Sequence, residues 1–267
     1  MESITIPPNM RIPSLEERTR FYARAFDPKE SKDFIMPYNS PVYAIDLGNE
    51  SGIYNPDFKR YITKLLYITN PKDLSEKLRK YSPEDVYYSR NLTKDPVVCS
   101  TCTDRSKACP GCSNFIGQEL AFDIDPENIE CRLCARKMGV SVYSFCTHQL
   151  AASRSWAINL YKYLKKENSF SDIRIVYSGR GYHLHVLDKD AYTMPLKDRK
   201  KLAFSLKKKG YPIDEWVTSG KIDLIRLPGS LHGLVNRIVK EIKIKELERF
   251  DPLHSKEVIP VYPKSTH

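Results

Sequence analysis

The chain has 267 residues, 41% of them hydrophobic, a composition that suits a globular protein and excludes a disordered one. It contains no run of about 18 apolar residues, and residues 1–10 lack the apolar core of a signal peptide, so we expect neither a membrane span nor secretion. Lys and Arg outnumber Asp and Glu by 43 to 33. The formal charge of +10 favours polyanionic partners, although a solvated basic surface would give the same count.

The first elements along the chain are predicted to be helical. Ser14 and Glu17 have the spacing of a capping box, which predicts a helix that begins there and runs to about Phe26. Apolar residues at positions 58, 61, 62, 65 and 66 recur at helical spacing and predict an amphipathic helix. Residues 72–81 are predicted to form another helix.

A strand is predicted over residues 119–125, because its side chains alternate. Leu120, Phe122 and Ile124 share one face, and the two aspartates at 123 and 125 share the other. The later predicted elements are a helix around 156–166, strands over 173–177 and 182–187 joined by a tight turn, a basic helix over about 196–209 closed by Gly210, an apolar run over 222–227 and a helix over about 244–250. This mixture predicts an α+β, or mixed α/β, fold with mixed sheets flanked by helices, in one domain over residues 1–267.

Asp123 and Asp125 are the first candidates for chemistry. Two carboxylates on one strand face repel each other unless a cation neutralises them, and Mg²⁺ and Mn²⁺ prefer such oxygen ligands. Two ions held in this way can activate a 3′-hydroxyl and stabilise a departing pyrophosphate. The alternative is a solvated strand end, because an Asp-x-Asp pattern is common by chance.

The turn over residues 178–181 carries phosphate-type ligands. Arg180 can fork onto a phosphate, and Ser178 and the backbone N–H groups of the turn can add donors. His183 follows on the next strand and can bond a phosphate oxygen or a nucleotide hydroxyl. The alternatives are an ordinary hairpin with exposed polar residues and, as a minor option, zinc bound through His183 and His185.

A second turn, after the apolar run 222–227, carries the same kind of side chain. Arg226 and His232 flank it and are again phosphate-type ligands. The alternative is a plain turn after a core strand.

Six of the seven cysteines form three Cys-x2-Cys pairs, a spacing that indicates zinc more than disulfides in a chain without a secretion signal. A polar insert over residues 99–112 offers an all-thiolate site made of Cys99, Cys102, Cys109 and Cys112. Residues 131–148 offer a second set of three thiolates and one imidazole, made of Cys131, Cys134, Cys146 and His148. The alternative for the second set is that Cys146 is a small core residue and His148 lies at the surface. Either zinc would be structural, because four protein ligands leave no open position.

Four motifs, in order, resemble the catalytic small subunit of the archaeal and eukaryotic DNA primases. Phe122-Asp123-Ile124-Asp125 resembles the family's metal-binding strand, and residues 176–183 resemble its YSGRGxH nucleotide-binding turn. Residues 224–233 resemble its LIRLPGSLHG segment, and residues 246–253 resemble a segment near its C-terminal end. The resemblance covers about residues 119–260.

The resemblance implies a template-directed nucleotidyltransferase that adds NTPs or dNTPs to a 3′-hydroxyl on single-stranded DNA, with two Mg²⁺ or Mn²⁺ ions. It implies a third metal-binding aspartate, for which Asp214 is chosen by its flanks and Asp223 is the competing candidate. The residues implied to bind the nucleotide's phosphates and sugar are Ser178, Arg180, His183, Arg226 and His232. The family's small subunit commonly works with a large subunit, and the expected location is the cytoplasm, at the nucleoid.

The chain departs from the family in three places. The family usually has one zinc site after the Asp-x-Asp strand, and here the set in residues 131–148 occupies that region with different spacing. The insert over residues 99–112 precedes the strand and resembles an addition. Residues 42–46 are comparable to an early strand that often carries an Arg-Glu pair, and they lack that pair.

Two rival functions stay open. A related polymerase for end joining or for a mobile element would share the site and differ in partners. A non-catalytic, zinc-dependent nucleic-acid-binding module would not need Asp123, Asp125 and Asp214 to converge on a metal.

Overall fold

A computed structural model describes residues 5–35, 42–58, 63–66, 68, 71–102, 109–134 and 144–263. Within these ranges the helices are α1 (Leu15–Arg24), α2 (Pro28–Ile35), α3 (Pro71–Tyr81), α4 (Pro96–Ser100), α5 (Thr147–Glu167), α6 (Lys189–Tyr192), α7 (Leu196–Lys208), α8 (Glu215–Thr218) and α9 (Ile244–Leu247). The strands are β1 (Tyr43–Asp46), β2 (Thr63–Leu66), β3 (Asp85–Ser89), β4 (Asn91–Thr93), β5 (Phe115–Gln118), β6 (Leu120–Ile124), β7 (Ile173–Tyr177), β8 (Tyr182–Val186), β9 (Leu224–Arg226), β10 (Leu231–His232), β11 (Arg237–Ile238) and β12 (Lys240–Glu241). The fold is α+β, as predicted, and the strand pairs of its sheets are antiparallel. Among the described residues, no helix combines the length and the apolar character needed to cross a membrane.

The chain divides into two compact units. The first, called the carboxylate unit, comprises residues 1–10, 117–223 and 241–253; the second, called the flanking unit, comprises residues 11–116, 224–240 and 254–267. The extent of one catalytic domain over residues 1–267 stays a prediction.

The carboxylate unit is built on a sheet in the order β12-β7-β8-β6, in which β8 pairs antiparallel with both β7 and β6. Every residue of β8 is buried, which fits its central position in the sheet. Helix α5 packs on β6 and β8, and its buried Leu150, Leu160 and Leu164 supply one side of the core. These leucines are 10 and 4 residues apart, close to whole numbers of helical turns, so they lie on one face of α5.

The flanking unit is built on a sheet in the order β11-β10-β3-β1-β2, with β9 also paired to β3. All of β1 and most of β3 are buried, which fits their central positions in the sheet. Helices α1 and α2 pack against α3. The predicted capping box at Ser14 is confirmed, because Glu17 N–H donates to the Ser14 hydroxyl and the Glu17 carboxylate accepts from Ser14 N–H.

The predicted amphipathic helix at positions 58–66 is wrong at its C-terminal end. Residues 63–66 form β2, whose Leu65 and Leu66 pair antiparallel with Ala44 and Tyr43 of β1. Positions 61 and 62 lie outside the described residues. A short apolar run cannot be assigned by periodicity alone, and here the hydrogen bonds offered by the edge of β1 decide in favour of a strand. The helix expected over about residues 244–250 is shorter, since α9 ends at Leu247.

Candidate active site

The aspartate pair of the carboxylate unit lies at the end of β6. Asp123 pairs across the ladder with His183 of β8, and Asp125 follows the strand directly. Phe122 and Ile124 point into the core with no exposed surface, whereas the Asp123 and Asp125 side chains keep 16% and 15% of theirs. The predicted alternation is therefore confirmed, and the buried apolar face fixes where the carboxylates stand.

Asp214 is brought to the same strand end by a backbone contact. Its N–H donates to the carbonyl oxygen of Asp123 over 2.8 Å. Its carboxylate accepts from Trp216 N–H at 2.8 Å and so caps the short helix α8, which packs on β6. This contact favours Asp214 over Asp223 as the third carboxylate, and the assignment to a metal stays a prediction.

The three aspartates are close enough to perturb one another. Burial raises the pKa of Asp123 well above its usual range, and the charges of Asp125 and then Asp214 raise it further. Asp123 Oδ1 is buried and accepts no hydrogen bond among the described residues; His183 Nε2 lies 3.5 Å away. A buried carboxylate oxygen without a hydrogen-bond partner, beside two further carboxylates, is the donor chemistry that a hard divalent cation such as Mg²⁺ or Mn²⁺ prefers. Among the described residues, the oxygens of these three aspartates are not gathered as closely as the ligand atoms of the cysteine set in residues 131–148.

Arg180 supplies the positive charge beside these carboxylates. Its guanidinium lies 2.9 Å from Asp125 Oδ2 and 2.8 Å from Glu127 Oε1. The sequence analysis missed Glu127. Its position two residues after Asp125, directly after a proline, could have indicated it, because Pro126 begins a short 3₁₀ helix at the end of the strand. Burial and the charge of Asp125 raise the pKa of Glu127 to about 8, while Arg180 lowers it.

The turn that carries Arg180 is closed by its own backbone. Ser178 N–H donates to the Gly181 carbonyl, and Gly181 N–H donates to Ser178 Oγ, each over 3.0 Å. Ser178 therefore shapes the turn, and its predicted contact with a nucleotide stays a prediction. Gly181 has no room for a side chain, because a Cβ there would lie 2.5 Å from both Asp125 Oδ1 and the Ile124 carbonyl oxygen.

His183 and His185 share a strand face, as predicted, with ring centroids 5.8 Å apart. Their surroundings differ. His183 faces Asp123, whereas His185 Nδ1 lies 2.5 Å from Glu119 Oε1 in a pair that is almost wholly buried. His185 thus has a carboxylate partner in the core, and only His183 of the two stands beside the aspartates.

Arg226 and His232 lie in the flanking unit and converge on Asp85, which sequence reasoning missed. Arg226 forms an ion pair with Asp85 and lies over the Tyr87 ring, with its guanidinium carbon 5.1 Å from the ring centroid. His232 Nδ1 is 3.6 Å from Asp85 Oδ1, and Gly233 N–H donates to the same oxygen. Within this unit, the neighbours of the Asp85 carboxylate therefore include Arg226, His232, the Gly233 N–H group and the Tyr87 hydroxyl, which donates to Oδ2 over 3.3 Å. The nucleotide-binding roles of Arg226 and His232 stay predictions.

The second cysteine set forms a candidate metal centre. One ligand atom from each residue falls within 4.8 Å of all the others: Cys131, Cys134, Cys146 and His148. Cys131 Sγ and Cys146 Sγ are 3.6 Å apart, and Cys134 Sγ is 3.7 Å from His148 Nδ1. Zn–S bonds of about 2.3 Å in a tetrahedron place two sulfurs about 3.8 Å apart, so the geometry fits zinc.

Two members of the first cysteine set, Cys99 and Cys112, contact Asn114 in the flanking unit. The Asn114 side-chain amide donates to Cys99 Sγ at 3.1 Å, and its backbone N–H contacts Cys112 Sγ at 3.4 Å. Residues 103–108 lie outside the described residues. In the part of the chain that the structure describes, the set in residues 131–148 is the one group whose ligand atoms lie together. Zinc in the insert over residues 99–112 stays a prediction.

Gln149 links the candidate zinc centre to the aspartate strand. Its side-chain NH₂ donates to the carbonyl oxygens of Pro126 at 3.2 Å and Ile129 at 2.8 Å. Its side-chain oxygen accepts from Cys146 N–H, and its own N–H donates to Cys146 Sγ. One buried amide thus ties a zinc-type ligand to the segment that follows Asp125.

Comparison with known proteins gives relatives over most of the chain. An uncharacterized DNA primase small subunit-like protein of Archaeoglobus fulgidus is 39% identical over 256 residues, which cover 92% of this chain and 90% of that protein. The DNA primase small subunit PriS of Pyrococcus horikoshii is 29% identical over 72% of this chain, and that of Pyrococcus furiosus is 27% identical over the same share. The chain spans about half the length of these PriS proteins, 49% and 48%.

Among solved structures, the polymerase domain of Mycobacterium tuberculosis ligase D in complex with DNA aligns with 92% of this chain and 83% of its own, with a TM-score of 0.49 and 14% identity. No family model matches the sequence. The archaeal relatives and the motif order agree with each other: this chain belongs to the family of DNA primase small subunit-like proteins.

Proposed function

We propose that the chain is a template-directed nucleotidyltransferase that adds nucleotides to a 3′-hydroxyl on single-stranded DNA. The observation that carries this proposal is the position of Asp123, Asp125 and Asp214 at one strand end, with a buried Asp123 oxygen that accepts no hydrogen bond among the described residues. A purely DNA-binding module gains nothing from gathering acidic side chains, because they repel the phosphate backbone.

Five side chains of the carboxylate unit have proposed roles in this reaction. Asp123, Asp125 and Asp214 would hold two Mg²⁺ or Mn²⁺ ions, which supply activation of the 3′-hydroxyl and neutralisation of the departing pyrophosphate. Arg180 stands at the edge of the aspartates and neutralises phosphate charge. His183, 3.5 Å from Asp123, is placed to donate to a phosphate oxygen or a sugar hydroxyl.

The remaining partners are part of the same proposal. Arg226 and His232 would bind the nucleotide, a role supported by the resemblance of residues 224–233 to the family's LIRLPGSLHG segment. The net charge of +10 supports binding of the template backbone, so binding should weaken with salt. An enzyme of this kind acts at the nucleoid, and a large subunit is a further partner that the family resemblance suggests. Zinc held by the set in residues 131–148 would brace the loop after the aspartate strand.

The test is a primer-extension assay on a single-stranded DNA template with Mg²⁺ or Mn²⁺, run separately with ribonucleotides and deoxyribonucleotides. We expect extension by the wild-type chain and none above background by Asp123→Asn, with DNA binding retained by both. The same assay without a primer tells whether the chain initiates unaided. Absence of extension under all of these conditions, from a folded chain that binds DNA, would overturn the proposal in favour of the binding module.

A related polymerase for end joining or for a mobile element would share the three aspartates. It is distinguished by substrate: such an enzyme extends across two annealed DNA ends or a supplied primer and fails to begin a new strand on a bare template. Synthesis of a new strand on a template without a primer would support a primase. Extension that always requires a supplied 3′ end would support the end-joining or mobile-element polymerase.

A further inference from the structure

Helix α7 of the carboxylate unit carries an exposed basic stripe that no role described above uses. With 100° of rotation per residue, five of its exposed lysines fall within about 120° of the helix circumference. These are Lys197, Lys200, Lys201, Lys207 and Lys208. The buried Arg199, Ala203 and Leu206 lie on the opposite side of the helix. The stripe is therefore the face of α7 that points away from its core.

An aromatic ring sits in the middle of the stripe. Phe204 has 69% of its surface exposed, and its angular position lies between those of the lysines. One acidic residue of the helix, Asp198, lies beyond the edge of the stripe and pairs with Lys201 at 3.4 Å. Five lysines against one aspartate leave this face strongly basic around an exposed apolar ring.

A second exposed aromatic stands beside the aspartates. Trp216 has 51% of its surface exposed and follows Asp214 by two residues, with its N–H bonded to the Asp214 carboxylate. Lys221 Nζ lies 3.8 Å from the centroid of its ring. Helix α8 packs on α7, and the Gly220 backbone after α8 lies against the Leu196 side chain at the start of α7. Trp216 and the α7 stripe therefore belong to neighbouring elements of one unit.

Exposed rings interleaved with ammonium groups are the chemistry that recognises single-stranded nucleic acid. Lysines neutralise the phosphates, and rings stack on bases, whose faces are available in a single strand and covered in a duplex. A single exposed Phe is common at protein surfaces, but its position among the lysines, beside a helix that carries the exposed Trp216, matches this chemistry.

We propose that Trp216 stacks on a base of a single DNA strand next to Asp214 and that the α7 stripe with Phe204 holds the continuation of that strand. This inference rests on the proposed function for the identity of the strand as a reaction partner. The binding itself is measurable without any catalysis.

The test is the affinity of the full-length chain for a fluorescein-labelled oligothymidylate, measured by anisotropy. We expect Trp216→Leu to weaken binding by about 5- to 100-fold, the range for losing one stacked base, and Trp216→Phe to retain most of the affinity. Phe204→Leu should weaken binding in the same direction. Affinity unchanged by both leucine variants would overturn the inference.

The lysine stripe is tested against a charge-matched control. Lys200→Gln with Lys207→Gln should lower the slope of log affinity against log salt by about 1.4, at about 0.7 for each lost phosphate contact. Lys72→Gln with Lys80→Gln removes the same charge from exposed positions of α3 and should leave the slope nearly unchanged. Equal effects of the two double variants would mean that net charge alone binds DNA, and the stripe would be rejected.

Tryptophan fluorescence reports the stacking directly. Trp156 is the one other tryptophan, and its ring packs on Tyr211 with centroids 5.6 Å apart. In a Trp156→Phe background, oligothymidylate should quench the Trp216 emission, whereas anionic lipid vesicles should not. Quenching by vesicles and not by DNA would assign the surface to a membrane and overturn the inference.

Failure of this inference is separable from failure of the proposed function. A chain that extends primers and binds DNA independently of Trp216 keeps the function and loses the inference. A chain that binds single strands through Trp216 and extends no primer keeps the inference as a binding surface and loses the function.

Discussion

The backbone N–H of Asp214 donates to the carbonyl oxygen of Asp123 over 2.8 Å, although the two residues are far apart in the chain. The contact holds together the backbones of two residues whose like-charged carboxylates repel each other. It also makes the start of α8, where Asp214 is the cap, part of the same rigid arrangement as β6.

Substitution of the aspartates should separate catalysis from folding. Asp214→Asn keeps a side chain that caps a helix well and removes only the charge. We expect Asp123→Asn and Asp214→Asn each to lower nucleotide incorporation by about 100-fold or more, the scale for losing one group that stabilises transition-state charge. Because burial and two like charges raise the pKa of Asp123, Asp123→Asn should also leave the melting temperature unchanged or raise it.

Asp223→Asn is the matched control for this pair, because Asp223 is the competing third carboxylate. If Asp214 is the third carboxylate, Asp223→Asn should change incorporation by less than about threefold, because it then removes no ligand of the ions. Loss of activity in Asp223→Asn together with near-normal activity in Asp214→Asn would exchange the two assignments.

Gly181→Ala should displace the Arg180 turn from the aspartate strand. The new methyl group would lie 2.5 Å from Asp125 Oδ1 and from the Ile124 carbonyl, and neither the strand backbone nor its buried neighbours can yield cheaply. We expect a loss of about 1–3 kcal/mol in the free energy of unfolding, the usual scale for overpacking, and a higher KM for the nucleotide. Denaturant unfolding and steady-state kinetics measure the two effects.

The control for Gly181→Ala is Gly111→Ala. A Cβ at Gly111 meets nothing within 4 Å, so this variant should be neutral or slightly stabilising. If both alanine variants behaved alike, close contact would not be the reason that glycine stands at 181.

The sequence allowed the strand and turn elements of the site to be predicted, because their signals are local. Alternation over 119–125 depends on neighbouring side chains, and the turn over 178–181 depends on its glycines. Glu127, Glu119 and Asp85 were missed because their partners are distant: Arg180, His185 and Arg226 reach them only in the folded chain. Similarly, 63–66 became a strand because β1 offers its hydrogen bonds, a cause that no local pattern contains.

Gln149→Leu tests whether the candidate zinc centre influences the Mg²⁺ requirement of the reaction. The variant leaves the buried carbonyls of Pro126 and Ile129 without their donor, which costs about 1–3 kcal/mol of stability. Because these carbonyls flank the segment after Asp125, we also expect a several-fold higher Mg²⁺ concentration for half-maximal incorporation. Zinc content, measured by mass spectrometry of the folded protein, should stay unchanged.

Ser153→Ala is the control for Gln149→Leu. Ser153 is buried on the same helix, and among the described residues its hydroxyl donates to the Leu150 carbonyl of that helix. It should lose some stability with no change in Mg²⁺ requirement. A Gln149→Leu variant with the same profile as Ser153→Ala would show that the bridge supports the fold and does not position Asp125.

Glu84 should make the stability of the chain fall as pH rises toward neutrality. Burial and the charge of Asp85 raise its pKa from 4.5 to about 7, against smaller opposing effects of Ser51 and Arg18. Below about pH 4.5 the carboxyl is protonated in both folded and unfolded states, and between 4.5 and 7 the folded state binds the extra proton. The folded state therefore loses up to about 3 kcal/mol of relative stability across this window.

Glu84→Gln tests this directly by denaturant unfolding at several pH values. The variant should lack the decline that the wild-type chain shows between about pH 5 and 7, since the amide does not titrate. Parallel pH profiles for the two proteins would mean that Glu84 stays charged in the folded state, with Arg18 compensating its burial.

The single guanidinium of Arg180 faces more acid than it can balance. It pairs with Asp125 and Glu127, and its charge also acts on Asp123, which lies close to the charge of Asp214. A free nucleoside triphosphate, itself a polyanion, would meet a repulsive field there. We therefore expect the nucleotide to enter as its complex with a divalent ion, so that its apparent affinity rises with the concentration of that ion.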